Sequence, residues 1–255
     1  MDPEALFVLE IRSVGVGVRA RWNEVAVYAN PSGAGRIAQT KLNPYVVEGE
    51  NEAVLVFRAA EIPPEQRENA GQPSLRVRVI RGRMGEEAQS VLAEMEWKSD
   101  RGPLPATWRA PVRVGEAFGR WRWEAAPRLA PNTADRAAIL SLLDRLRAAL
   151  ETADAAAVNE IFALKNEEMA RALGLAAADA SAAMEQFFAA FWEQPVRRME
   201  PLDDGRIELA VQAGGRLVAV VDREGGPALR GVAGDVRIAV PVMVTRVQRQ
   251  WLIAR

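Results

Sequence analysis

Apolar residues recur at every second position through much of the first half of the chain, and at every third or fourth position just after residue 132. Leu75, Val77 and Val79 alternate with Arg76, Arg78 and Ile80, the period of a strand whose side chains leave opposite faces. Val25 and Val27 alternate in the same way with Ala26 and Tyr28. Residues 6–14, 53–58, 90–97 and 117–124 complete the set, with 53–58 (AVLVFR) reading as a central strand. Breaks rich in Pro, Gly and Asn separate these runs at 30–33, 62–64, 71–73 and 101–103. Six or more strands with this spacing predict a β-sandwich over residues 1–125.

Pro127 and Pro131 mark a short, semi-rigid linker over 126–131, and the period then changes. Ile139, Leu142, Leu143, Leu146 and Leu150 form one helical stripe, preceded by Asn132 and Thr133 as N-cap residues. The pattern predicts helices over 134–150, 155–173 and 178–193. The second buries Val158, Ile161, Phe162, Met169 and Leu173 and stops at Gly174. The third buries Met184, Phe187, Phe188, Phe191 and Trp192 and stops before Pro195. Strands return with Ile207, Leu209 and Val211, a Gly214-Gly215 turn and residues 217–222. A long strand over 236–247, interrupted by Pro241, and a last strand over 250–255 close a second domain, 132–255.

Three helices on a curved antiparallel sheet, ending in Trp251-Leu252-Ile253-Ala254-Arg255, resemble the NTF2-like (SnoaL-like) α+β cone fold. The carrying residues are Leu142 to Leu150, Phe187 to Trp192, and the closing pair 236–247 with Gln250 to Ile253. In the first half, Asn43-Pro44-Tyr45 followed by Gly49-Glu50-Asn51 is similar to the turn that enters a buried strand in galactose-binding-like jelly-roll sandwiches. A turn that pins strand register in any sandwich uses the same residues.

The chain contains no histidine and no cysteine. That removes Ser-His-Asp and Cys-His catalysis, Cys/His zinc and copper sites, iron–sulfur clusters and disulfides. Carboxylate, Arg, Lys or Tyr chemistry is what remains. The cone family includes ketosteroid isomerases, whose site needs a carboxylate base and a Tyr-containing oxyanion hole. Here the only tyrosines, Tyr28 and Tyr45, lie in the first half. Glu193, Glu208 and Asp222 are carboxylates that could line a pocket, and equally suit solvated element ends.

Other motifs weigh toward structure. Trp121 and Trp123 on one face of a strand, with Arg120 and Arg122 on the other, suit a stacking platform but better suit a core or a domain contact. Arg76, Arg78, Arg81 and Arg83 precede Glu86 and Glu87, as on a solvated sheet face. Gly15-Val16-Gly17 and Gly33-Ala34-Gly35 lack the strand-to-helix context of a nucleotide loop, and Asp203-Asp204-Gly205 reads as a turn.

Charge adds little selectivity. The balance is 33 basic against 34 acidic residues, a net charge of −1, so nothing favours nucleic acid or an anionic membrane. Thirty of the basic residues are arginine and only Lys41, Lys98 and Lys165 are lysine, a bias that matches a GC-rich bacterial genome. No window is apolar enough for a membrane span, and the acidic start Met1-Asp2-Pro3-Glu4 with the short apolar run 5–9 does not make a signal peptide. The expected home is the cytoplasm, or the periplasm if a signal peptide has been removed. The expected role is non-catalytic: a bacterial accessory protein that binds a protein partner, for instance a toxin-neutralising antagonist, or that pairs as a homodimer. No catalytic, cofactor or metal residue is assigned. The competing reading is a small-molecule-binding or enzymatic cone domain that uses carboxylates. Trp192 and Trp251 are expected to be buried between the third helix and the sheet.

Overall fold

The computed structural model describes residues 5–33, 35–60, 72–83, 89–115, 118–176, 179, 182, 186, 193 and 197–255. The chain divides into two compact units, Met1–Arg120 and Trp121–Arg255. Among the described residues it is mostly β, every sheet is antiparallel, and the α-helices belong to the second unit.

The first unit holds eight described strands: β1 (Ala5–Val14), β2 (Val16–Trp22), β3 (Val25–Asn30), β4 (Arg36–Lys41), β5 (Gly49–Ala59), β6 (Ser74–Arg83), β7 (Ser90–Lys98) and β8 (Ala106–Val114). They form two four-stranded sheets, ordered β4-β1-β6-β7 and β3-β2-β5-β8. Alternation explains the core between them. Phe7, Leu9 and Ile11 of β1 and Leu75, Val77 and Val79 of β6 are buried on one side, and Val18, Ala20, Leu55 and Phe57 on the other. Phe57 meets Trp97 of the opposite sheet edge-on, with ring centroids 5.9 Å apart. This is a general β-sandwich. Strands β2, β4 and β8 went unread in the sequence because Gly17, the polar run of β4 and Pro111 blur their alternation.

The second unit opens with a correction. Residues 122–124, expected as the end of a strand, lie instead in a 3₁₀ turn, Arg122–Ala125. The Trp121 N–H donates to the Glu124 carboxylate at 2.6 Å and the Ala126 N–H to the Trp123 carbonyl, which commits these backbone groups to a turn. The two-proline segment runs within this unit, where Leu129 is buried and its N–H donates to the Gly215 carbonyl.

Helix α1 (Thr133–Thr152) is capped as its sequence implies: the Asn132 side chain accepts from the Asp135 N–H, and Asp135 returns the bond to the Asn132 N–H. The stretch expected as one helix over 155–173 is two, α2 (Ala155–Ile161) and α3 (Ala163–Ala172). The break at Phe162 (φ −90°, ψ 7°) resets the helical phase. Leu164, Glu168 and Ala172 therefore face inward, while Met169 and Leu173, expected inside, are only half-buried. Gly174 ends α3 with φ +66°, the left-handed stop expected of it. The expected third helix, with Met184, Phe187, Phe188, Phe191 and Trp192, lies almost wholly outside the described residues.

Then follow β9 (Arg197–Met199), β10 (Ile207–Gln212), β11 (Leu217–Asp222), β12 (Leu229–Ala233), β13 (Val236–Val240), β14 (Val242–Val247) and β15 (Gln250–Ile253). One sheet runs β10-β11-β14-β15 and the other β13-β12-β9. Pro241 divides the long strand, and at that point its partner changes from β12 to β11. Ile139, Leu143 and Leu146 of α1 pack with Val218, Val220, Val242, Val244 and Ile253 in one aliphatic core. Trp251, expected inside that core, sits half-buried at its margin, because its indole N–H reaches out to the Asp135 carboxylate at 3.2 Å.

Candidate functional site

Most of the motifs singled out in the sequence have structural partners. The Asn43 side chain accepts from the Phe7 N–H at 2.7 Å and donates to the Ala5 carbonyl at 2.8 Å, extending the β1 ladder where the neighbouring strand has ended. Asn51 Oδ1 accepts from Val47 N–H and Asn23 Nδ2, and its amide donates to the Val47 carbonyl. Asn23 in turn donates to the Tyr45 carbonyl and accepts from the Glu52 N–H. The Asn-Pro-Tyr and Gly-x-Asn motif thus ties the β2–β3 turn to the entry of β5.

The two Gly-x-Gly fragments meet each other: the Gly15 N–H donates to the Gly33 carbonyl at 3.1 Å. Gly33 has φ +61°, and a side chain there would come within 2.1 Å of the Ala60 Cβ. In the arginine row, Arg76 pairs with Glu94 (2.7 Å) and Arg78 with Glu10 (2.5 Å), linking β6 to β7 and β1, while the Arg81 guanidinium lies 5.9 Å from the Phe7 ring centroid. Burial works to raise the Glu10 pKa, but Arg78, Gln39 and Arg12 outweigh it and hold it below the ordinary glutamate value. Asp203 accepts from the Gly205 N–H, and Asp204 pairs with Arg136.

The three carboxylates considered for a pocket behave as structural or solvated groups. Glu193 and Glu208 are exposed. Asp222 accepts from the Gly226 and Glu224 N–H groups and pairs with Arg230, which together lower its pKa against the opposing effect of burial. A general acid at neutral pH needs the opposite shift. Among the described residues no three acidic side chains gather as a metal site. No helix there is long and apolar enough to cross a membrane.

Sequence reasoning missed a buried charged cluster beside α3. Glu168 is 1% exposed; it accepts from the Arg122 N–H at 2.6 Å and pairs with Arg255 at 2.5 Å. The guanidiniums of Arg171 and Arg255 lie 4.4 and 5.0 Å from the ring centroid of the fully buried Trp121. Trp121 is therefore a core residue stacked by cations, as the preferred reading of it and Trp123 expects, but it leads into a 3₁₀ turn and does not stand on a strand. Lys165 Nζ lies 4.6 Å from the Phe162 ring centroid. Loss of water around its ammonium, and then the Arg255 charge, hold its pKa below the ordinary lysine value. The signal was present as Leu164, Glu168 and Ala172 at a spacing of four. It becomes readable only once the break at Phe162 is known.

One open feature of this unit is a groove of about 510 Å³, within the ordinary range of ligand sites. Leu142 of α1, Ile161 of α2 and Leu252 and Trp251 of β15 supply apolar walls, and Ser141, Arg145, Glu160 and Arg249 the polar ones. Arg145 and Glu160 approach to 3.6 Å across the rim. Arg249 stands in the β14–β15 turn, where Gln248 and Arg249 both have positive φ (47° and 70°), as a two-residue hairpin turn of this hand requires. Asp135 accepts from Trp251 Nε1 and Arg246, so the cap of α1 also orients the indole. One exposed, arginine-bridged carboxylate gives the groove no acid–base pair, whereas an oriented indole with Arg246 over its ring, in a groove lined by Arg145 and Arg249, gives it a binding surface. No family model matches the chain, and no curated protein and no solved structure matches it.

Proposed function

We propose that this protein works by binding a protein partner, without catalysis, and that the groove between α1, α2 and β15 is the contact. The observation that carries this is Trp251, half-buried, held in one orientation by Asp135, with the Arg246 guanidinium 6.0 Å from its ring centroid, in a groove that Arg145 and Arg249 also line. Tryptophan and arginine dominate the energetics of protein interfaces, and a side chain ordered in advance loses less entropy on binding. In this reading the second unit is an NTF2-like cone. The aliphatic cluster from Ile139 to Ile253 occupying the space between α1 and the sheet supports that assignment to a non-enzymatic member. The Asn43 and Asn51 turn supports a galactose-binding-like sandwich for the first unit. A bacterial toxin-neutralising antagonist is the concrete form of the role.

The groove volume also favours a second reading, a small-molecule site, in which the same residues hold an organic ligand. Co-purification with the full chain from its source cells, beside an Arg145→Glu/Arg249→Glu double variant, separates the two. We expect a stoichiometric protein retained by the wild type and lost by the variant, with the urea midpoint unchanged. A partner held equally by both places the interface elsewhere. A small molecule without any protein supports the second reading and overturns the first.

A further inference from the structure

We propose, on the reading of the groove between α1, α2 and β15 as a protein contact, that the partner segment seated in it is acidic. It is a short stretch that lays a large apolar side chain on the groove floor and sets a carboxylate on Arg249.

Ala138, Leu142, Ile161, Leu252 and the Trp251 ring supply the apolar surface. The charges around it are unevenly matched. Asp135 accepts from Trp251 Nε1, from Arg246 and from the Asn132 N–H, so its charge is already engaged. Arg246 pairs with it at 3.3 Å and holds its guanidinium 6.0 Å from the indole centroid. Further along α1, Asp144 and Glu151 both pair with Arg147. Glu160 is the one acid that lines the groove; it reaches Arg145 at 3.6 Å with its side chain 78% exposed. An exposed pair of this kind contributes little and gives way to a better-placed carboxylate. Arg249 lines the same groove and has no carboxylate at ion-pair distance among the described residues. The left-handed pair Gln248 and Arg249 fixes where its backbone stands in the turn.

A guanidinium without an anion at the mouth of an apolar groove selects a carboxylate that arrives beside an apolar residue, because the two planar groups meet through parallel hydrogen bonds. A basic segment would set like charges against Arg145, Arg246 and Arg249. A nucleic acid needs a wide positive field, and the chain balances 33 basic with 34 acidic residues.

The test follows the Trp251 indole N–H signal of the intact ¹⁵N-labelled chain, assigned by its loss in Trp251→Phe. The probes are three heptapeptides with the centre Leu-Phe-Leu, flanked on each side by two glutamates, two glutamines or two lysines, and a short oligothymidylate. The glutamate peptide should move the signal and bind about ten-fold more tightly than the glutamine peptide at low salt. The lysine peptide should not bind, and Arg249→Gln, with its urea midpoint unchanged, should abolish the preference for glutamate. A glutamine peptide that binds as tightly, or a preference that survives Arg249→Gln, overturns the proposal and leaves the groove a peptide site. Preference for the lysine peptide or the oligothymidylate, or a signal that moves with protein concentration alone, gives the groove another occupant and overturns it. So does a Trp251 signal that no probe moves. A co-purifying protein retained by the Arg145→Glu/Arg249→Glu variant instead sinks the contact reading itself, and the proposal with it.

Discussion

Replacing Glu168 tests whether the charged cluster beside α3 is a structural element of the second unit. The side chains of Glu168 and Arg255 are 1% and 2% exposed, so both charges have left water. Deleting one member of such a pair leaves the other desolvated and uncompensated, at a cost of about 3–5 kcal/mol. Glu168→Ala also removes the acceptor of the Arg122 N–H, a loss that overlaps the first and does not simply add to it. Domains are stable by about 5–15 kcal/mol, so this single change should remove a large fraction of the folding free energy of its unit. Glu168→Gln keeps an acceptor for Arg122 and should lose less. Glu168→Leu combined with Arg255→Met removes both charges together and should recover most of the loss, because neither desolvation penalty remains. Urea unfolding of the full chain, with peptide-resolved hydrogen exchange assigning the transition to residues 121–255, measures all four proteins. A Glu168→Ala loss below about 1 kcal/mol, within the range of ordinary substitutions, would refute the argument. So would a double variant as unstable as the alanine variant.

Asn51→Ala should destabilise the first unit by about 1–3 kcal/mol, since it strands the part-buried bonding groups of Asn23 and Val47; urea unfolding checks this. Gly231→Ala should cost about 1–3 kcal/mol through overpacking, because the new Cβ would stand 2.6 Å from the Arg198 carbonyl oxygen; an unchanged melting temperature contradicts it. Asn132→Ala should cost about 1 kcal/mol through loss of the α1 cap, read as faster amide exchange in the first turn. The folded-state pKa of Glu10 is depressed, so its contribution is complete above the unfolded value, near 4.3, and is lost as pH falls through the lower folded value. Glu10→Gln should therefore flatten the acid limb of the stability profile of the first unit, and an unaltered limb would show that the ion pairs with Arg78 and Arg12 do not stabilise it.

Local pattern determined what depends on neighbours in sequence. The stripe Ile139, Leu143, Leu146 and Leu150, the Asn132 cap, the Gly174 stop and the Gly214-Gly215 turn all express preferences decided within a few residues. Alternation likewise placed β3 and β6, because a sheet with one buried face repeats every two residues. Tertiary structure decided the rest. The helix break at Phe162 turned a charged residue inward, and Glu168 is tolerated there only because Arg255, 87 residues away, meets it. Trp121 left the expected strand for a 3₁₀ turn where two guanidiniums cover its ring. The groove exists because β15 returns beside α1, bringing Trp251 to Asp135 across 116 residues. Such encounters depend on how the backbone closes on itself, and a buried charge or an oriented indole acquires its role from partners that no local window contains.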